Sequence, residues 1–68
     1  MSISRTQAIS IARSECERRQ WAWLEPVKAQ SGDKVWIIHT SWGYRGGNAK
    51  ISIDRETGEV VKAAYLPR

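Results

Sequence analysis

The segment spanning residues 49–65 constrains the fold more than any other part of the chain. Apolar and polar residues alternate over 49–54, Arg-Glu-Thr-Gly follows, and a second run rich in apolar residues occupies 59–65. Two such runs around a short glycine-containing segment are typical of a β-hairpin, with Gly58 where the turn needs a positive φ. The sequence therefore predicts two antiparallel strands joined by a tight turn.

The length of this turn decides which residues of the second strand face the core. A three-residue loop with a bulge gives three pairs without charge on the core face: Ile53 with Val61, Ile51 with Ala63, and Ala49 with Tyr65. A four-residue loop would instead pair Ile51 with Lys62 and bring a charge to that face. We therefore expect the three-residue loop.

A helix is predicted ahead of the strands. Ser4 and Gln7 match the capping box, in which each side chain satisfies the backbone N–H of the other residue. No glycine or proline interrupts 5–20, and one helical face collects small or apolar residues: Ala8, Ile9, Ile11, Ala12 and Cys16. A helix with such a face can lie close to a sheet.

Two further strands are predicted between the helix and the hairpin. Residues 35–42 are rich in β-branched and aromatic side chains, and 24–30 form a shorter strand at an edge, where Pro26 is tolerated. The 68 residues are expected to form a single α+β domain, with one N-terminal helix on a three- or four-stranded antiparallel β-meander. The expected core comprises Ile9, Ala12, Cys16, Trp36, Ile38, Ile51, Ile53 and Val61.

The composition leaves few routes to catalysis or metal binding. One cysteine, Cys16, rules out an internal disulfide, and with the one histidine, His39, it cannot build a usual zinc site. The two are expected on opposite sides of the sheet, which disfavours a nucleophile–base pair. Asp54, Glu56 and Glu59 cluster at a convex turn, where Asp54 is expected to cap its own loop. We therefore expect no enzyme, no cofactor and no metal.

The first fifteen residues lack the continuous apolar segment of a signal peptide, and no stretch is long enough to span a bilayer. We expect a soluble, cytoplasmic chain without a membrane partner. It would be an exported protein if a signal peptide had been removed from it.

The element order resembles that of the PepSY-like families. The matching segments are "AISIA" in the helix, "VWII" in the second strand and "ISIDRETGEV" in the hairpin, although "GYRGGN" between the strands departs from the family pattern. The chain also resembles small bacterial toxin-immunity domains, which share a Trp-x-Ile strand followed by Gly-Gly. The PepSY-like resemblance implies a usually exported, non-enzymatic module that inhibits or chaperones peptidases, and neither resemblance implies a catalytic motif.

The segment "HTSWGYRGGNAK" is the most distinctive connection in the chain. Its glycine N–H groups, with Arg45, would suit an anion. A phosphate loop usually leads into a helix N-terminus, however, and here a strand follows. We therefore expect a structural loop that forms at most the edge of a binding surface.

One helix can cover only one face of a sheet, so we expect the other face to bind a partner. Val35 and Ile37 are expected there beside lysines, which is the usual composition of a contact site. Ser52 and Val60 should lie on the same face, unless the C-terminal tail or the glycine-rich loop covers it. The predicted binding residues are Val35, Ile37, His39, Trp42, Tyr44, Arg45, Lys50 and Lys62.

The expected partner is another protein or a second copy of the chain. A net charge of +4 and a pI of about 9.7 make a small nucleic-acid-binding protein the alternative. The arginines of the helix form no stripe, so the basic surface would be the open sheet face, where Lys28, Lys50 and Lys62 are expected. Base stacking also needs exposed rings, whereas Trp36 and Trp42 are expected in the core.

Overall fold

A computed structural model describes residues 2–67 and shows the expected α+β arrangement. One helix, α1 (Arg5–Arg18), packs on one face of a sheet and contacts all four of its strands. The strands pair antiparallel in chain order: β1 (Lys28–Ser31), β2 (Val35–His39), β3 (Asn48–Asp54) and β4 (Val60–Leu66). Within residues 2–67, no helix has the length and apolar character that a membrane crossing requires.

Both ends of α1 are closed by local hydrogen bonds. The predicted capping box is present, with Gln7 N donating to Ser4 Oγ at 3.1 Å and Ser4 N donating to Gln7 Oε1 at 2.8 Å. The helix ends at Arg18, two residues earlier than predicted, because Gln20 adopts a φ of 62°. Trp21 N then donates back to Cys16 O, which is the Schellman arrangement at a helix C-terminus.

The core lies between α1 and the inner strands. Its fully buried apolar residues are Ala8, Ala12, Cys16, Ile38, Ala49, Ile51 and Ile53. Five of the eight predicted core residues are among them, while Ile9 and Trp36 are half-buried and pack against the cluster. Because the helix contributes alanine and cysteine, its backbone can approach the isoleucines of β2 and β3 closely.

The prediction for Val61 was wrong, and so was the expectation that Val60 would lie on the open face. Asp54 N donates to Glu59 O, so the turn contains four residues, and Ile53 pairs with Val60. Val60 packs against the core, whereas Val61 is 54% exposed. A bulge then restores the expected register, pairing Ile51 with Ala63 and Ala49 with Tyr65.

The turn between β3 and β4 is held as predicted in its other details. Asp54 Oδ1 accepts hydrogen bonds from the backbone N–H groups of Glu56 and Thr57, so its carboxylate caps its own loop. Gly58 has a φ of 78°. A Cβ at this glycine would lie 3.3 Å from Ile11 Cδ1, so a side chain there would also crowd the helix.

Glu15 is a buried carboxylate that the hydrophobic pattern of the helix does not reveal. Its side chain is 9% exposed and forms ion pairs with Arg18, at 2.6 Å, and with Arg19. Hydrogen bonds from Arg19 and then Arg18 outweigh the effect of burial and lower the pKa of Glu15. Arg18 and Arg19 are thus engaged with Glu15 at the helix C-terminus.

Candidate functional site

The sheet face opposite α1 is defined by two cross-strand rows, which we call the open face. The first row runs Lys28, His39, Lys50 and Ala64 across β1 to β4. The second row runs Gln30, Ile37, Ser52 and Lys62. Neither row contains a carboxylate, whereas a third, shorter row at the other end of this face pairs Val35 with Asp54.

The chain turns sharply after β2 and carries Trp42 onto this face. Thr40 is fully buried, as alternation predicts, but Ser41 has a φ of 51° and β2 ends at His39 instead of Trp42. The backbone N–H groups of Ser41 and Trp42 donate to Leu24 O and Pro26 O, in the segment before β1. The turn at Ser41 and these two hydrogen bonds explain why β1 is shorter than predicted and why Trp42 does not face the helix.

Trp42 is exposed and yet held in place by neighbouring side chains. The residue is 45% exposed. Lys28 Nζ lies 4.5 Å from the centroid of the indole ring, and the His39 ring centroid lies 5.0 Å away. A lysine over an indole is a cation–π contact, which restrains both side chains without burying either.

Asn48 organises the loop that supports Trp42. Its Nδ2 donates to the carbonyl oxygens of Thr40, Ser41 and Tyr44, and its Oδ1 accepts from Gly46 N at 2.7 Å. The Gly46 N–H is therefore already satisfied, which argues against an anion held by the loop backbone. The loop is a structural turn that borders the open face, as expected.

His39 lies between two lysines in its row. Partial burial, then the charges of Lys50 and Lys28, lower the pKa of His39. Its Nε2 lies 3.4 Å from Gln30 Oε1, a neutral partner. Neutral imidazole is thus the favoured form at neutral pH, and the row carries two fixed positive charges.

Two concave regions meet at the end of the open face. A pocket of about 430 Å³ has His39, Lys50 and Ala64 among its lining residues, together with Trp42, Tyr44 and Leu66. An open groove of about 1050 Å³ lies on the other side of Tyr44 and Leu66, and Glu25 and Arg45 contribute opposite charges to it. Tyr44 and Leu66, which are 68% and 55% exposed, line both regions.

The structure brings most of the predicted binding residues together at this end. His39, Trp42, Tyr44 and Lys50 line the pocket, and Arg45 lines the groove. The others lie on the same face but away from the pocket: Val35 and Ile37 are half-buried in β2, and Lys62 stands in the second row. The face is therefore less apolar and more basic at the end that holds the pocket than the sequence indicated.

Three contributors to the site were missed among the predicted binding residues. Lys28 was expected on the open face but not in contact with Trp42, because that contact depends on the turn at Ser41. Leu66 lies one residue beyond the strand predicted at 59–65, and in the structure it is the last residue of β4. Asn48 carried a usable signal, since an asparagine beside a glycine pair is suited to holding a loop through its side-chain amide.

The lone cysteine lies on the helix side of the sheet, away from these residues. Cys16 is fully buried beneath the helix, and burial raises the pKa of its thiol. No group of three or more His, Cys, Asp or Glu side chains within residues 2–67 is placed to hold a metal ion.

No protein-family model, curated protein or solved structure matches the chain.

Proposed function

We propose that this protein is a non-enzymatic binding module whose partner is a protein with acidic side chains, docked on the open face around Trp42. The exposed but restrained indole of Trp42 is the observation that carries the proposal. Tryptophan, tyrosine and arginine dominate the binding energy of protein interfaces, and Trp42, Tyr44 and Arg45 are neighbours here. An aromatic group already held in place loses little conformational entropy on binding.

The charge of the open face supports an acidic partner. Lys28, Lys50 and Lys62 project from its two rows, and neither Lys50 nor Lys62 forms an ion pair within residues 2–67. A symmetric dimer through this face would oppose lysines to lysines, since both copies present the same surface. We therefore favour a different, acidic protein over a second copy of the chain.

The PepSY-like resemblance gives this proposal a specific version. In that version the partner is a peptidase, and docking on the open face inhibits or chaperones it. A cytoplasmic location is also proposed, in contrast to the usual export of PepSY-like domains, because the lone thiol of Cys16 belongs to a reducing compartment more naturally than to an oxidising one.

The proposal is tested by affinity capture from the native host followed by reconstitution with the purified partner. Trp42→Ser should abolish capture, whereas Val61→Ser, which removes another exposed apolar side chain, should not. The partner must then bind the purified protein directly and carry an acidic contact surface. Equal capture by the wild-type and Trp42→Ser proteins would contradict the proposal, and a dimer in solution through this face would favour self-association.

A second candidate is single-stranded nucleic-acid binding, and one observation favours it. Trp42 and Tyr44 are exposed beside lysines, which is the arrangement of a base-stacking surface, although the sequence placed Trp42 in the core. Titration with an oligodeoxythymidylate at several salt concentrations tests this function. Strong quenching of Trp42 fluorescence, with affinity that falls steeply as salt rises, would support it over the protein partner.

A further inference from the structure

The pocket at the end of the open face combines a basic floor with apolar walls. Three residues of the first row line it, His39, Lys50 and Ala64, and Lys50 is the cross-strand neighbour of His39. Trp42, Tyr44 and Leu66 contribute exposed apolar surface around it. A ligand that matches both features carries a carboxylate next to an apolar side chain.

The groups around His39 make this pocket sensitive to the charge of its ligand. From β1, Lys28 and Gln30 face the imidazole; from β3, Lys50 does; and from the loop, Trp42 does. Neither row contains an acidic residue to offset the two ammonium charges. The two lysines flank His39 from β1 and β3, so an anion bound beside the imidazole is attracted by positive charge on both sides.

We propose that the pocket binds a carboxylate-bearing apolar segment of the partner, with the carboxylate beside Lys50 and His39 and the apolar side chain against Trp42, and that binding is accompanied by proton uptake at His39. The inference rests on the proposed function and deepens it. The carboxylate is either a glutamate or aspartate side chain or the C-terminal carboxylate of the partner. In both cases the incoming negative charge favours imidazolium over imidazole.

The pH dependence follows from this coupling. In the free protein, partial burial and then the charges of Lys50 and Lys28 lower the pKa of His39, so neutral imidazole is favoured at neutral pH. The bound carboxylate raises the pKa of His39, so the complex holds more protons than its separate components around that pH. By linkage, affinity increases as the pH falls from neutral to mildly acidic values.

The test uses the single histidine of the chain, whose imidazole proton signals need no further assignment. The probes are an acetylated, amidated peptide of alternating Glu and Leu, the same peptide with Gln for Glu, and a Gln-Leu peptide ending in a free carboxylate. The Glu peptide or the free-carboxylate peptide should raise the midpoint of the His39 titration, and the blocked Gln peptide should not. Whichever of the two acts identifies the source of the carboxylate.

Two lysine variants distinguish binding in this pocket from nonspecific attraction between opposite charges. Lys50→Gln should weaken binding by about tenfold, as expected for one charge-assisted hydrogen bond. Lys34→Gln removes the same charge from an exposed residue in the β1–β2 turn, outside both rows, and should leave the affinity within about twofold.

Three results would overturn the inference: failure of both carboxylate peptides to move the His39 titration, equal weakening by Lys50→Gln and Lys34→Gln, or a larger shift with an oligodeoxythymidylate than with either peptide. If the purified partner still requires Trp42 but binds equally well to the Lys50→Gln variant, the pocket assignment fails and the proposed function stands. If the partner's binding does not depend on Trp42, the proposed function itself fails.

Discussion

At the scale of single residues, Glu15 shows how an ionisable group acquires a structural role. The pKa of this carboxyl is lowered by its hydrogen bonds to Arg19 and Arg18, so the unfolded chain binds the proton at a higher pH than the folded chain does. Its contribution to stability is therefore fully present above the usual pKa range of glutamate. That contribution is lost as the pH falls through the lowered pKa of the folded state.

The prediction for Glu15→Gln follows from this sign. The variant should be less stable than the wild type at neutral pH, and the difference should shrink as the solution is acidified. Thermal unfolding followed by circular dichroism at a series of pH values measures it. A difference that stayed constant down to strongly acidic pH would show that the ion pairs with Arg18 and Arg19 contribute nothing.

Gly58 is constrained by its positive φ and by its closeness to Ile11 of the helix, and a pair of variants can separate the two effects. Gly58→Ala introduces a Cβ at a φ of 78° and 3.3 Å from Ile11 Cδ1, and it should cost about 1–3 kcal/mol of stability. Gly43→Ala is the matched control, because its φ is 89° but no atom lies within 4 Å of the added Cβ. Denaturant unfolding should show the larger loss for Gly58→Ala, and equal losses would mean that contact with the helix has no effect.

At the scale of elements, features that depend on neighbouring residues could be predicted from the sequence, whereas features that depend on contacts between distant segments could not. The capping box and the hairpin were predicted from the sequence because their determinants lie within a few residues of each other. The ends of β1 and β2 were not predicted correctly, because they depend on the turn at Ser41. A serine does not indicate a positive φ. The position of Trp42, and with it the character of the candidate site, followed from that turn.

The bulge in β4 gives a prediction that tests the register directly. Val60 packs against the core, so Val60→Ala should cost about 1 kcal/mol, whereas Val61→Ala should change stability by less than about 0.5 kcal/mol. Denaturant unfolding of both variants measures the difference. The reverse order would restore the pairing of Ile53 with Val61 that the three-residue loop implies.

At the scale of the whole molecule, the residues that stabilise the fold lie between the helix and the sheet, whereas the proposed binding residues lie on the open face. Ile53 is fully buried between the layers, and Ile53→Ala should cost about 2–5 kcal/mol, which is enough to threaten so small a domain. Ile37 lies on the open face, so Ile37→Lys should fold and should weaken partner binding. Circular dichroism and binding assays distinguish the two, and an unfolded Ile37→Lys protein would place Ile37 in the core.

Partner binding on the open face is the main proposal, and the four tryptophans can report on it directly. Trp21, Trp23 and Trp36 pack against the core, whereas Trp42 stands on the open face beside Lys28 and His39. The measurement is the set of indole N–H signals in a ¹H–¹⁵N spectrum, assigned with single Trp→Phe variants and recorded as the purified partner is added. Docking on the open face should shift the Trp42 signal and leave those of Trp21 and Trp36 in place; shifts at Trp21 or Trp36 with an unchanged Trp42 signal would rule out this docking face.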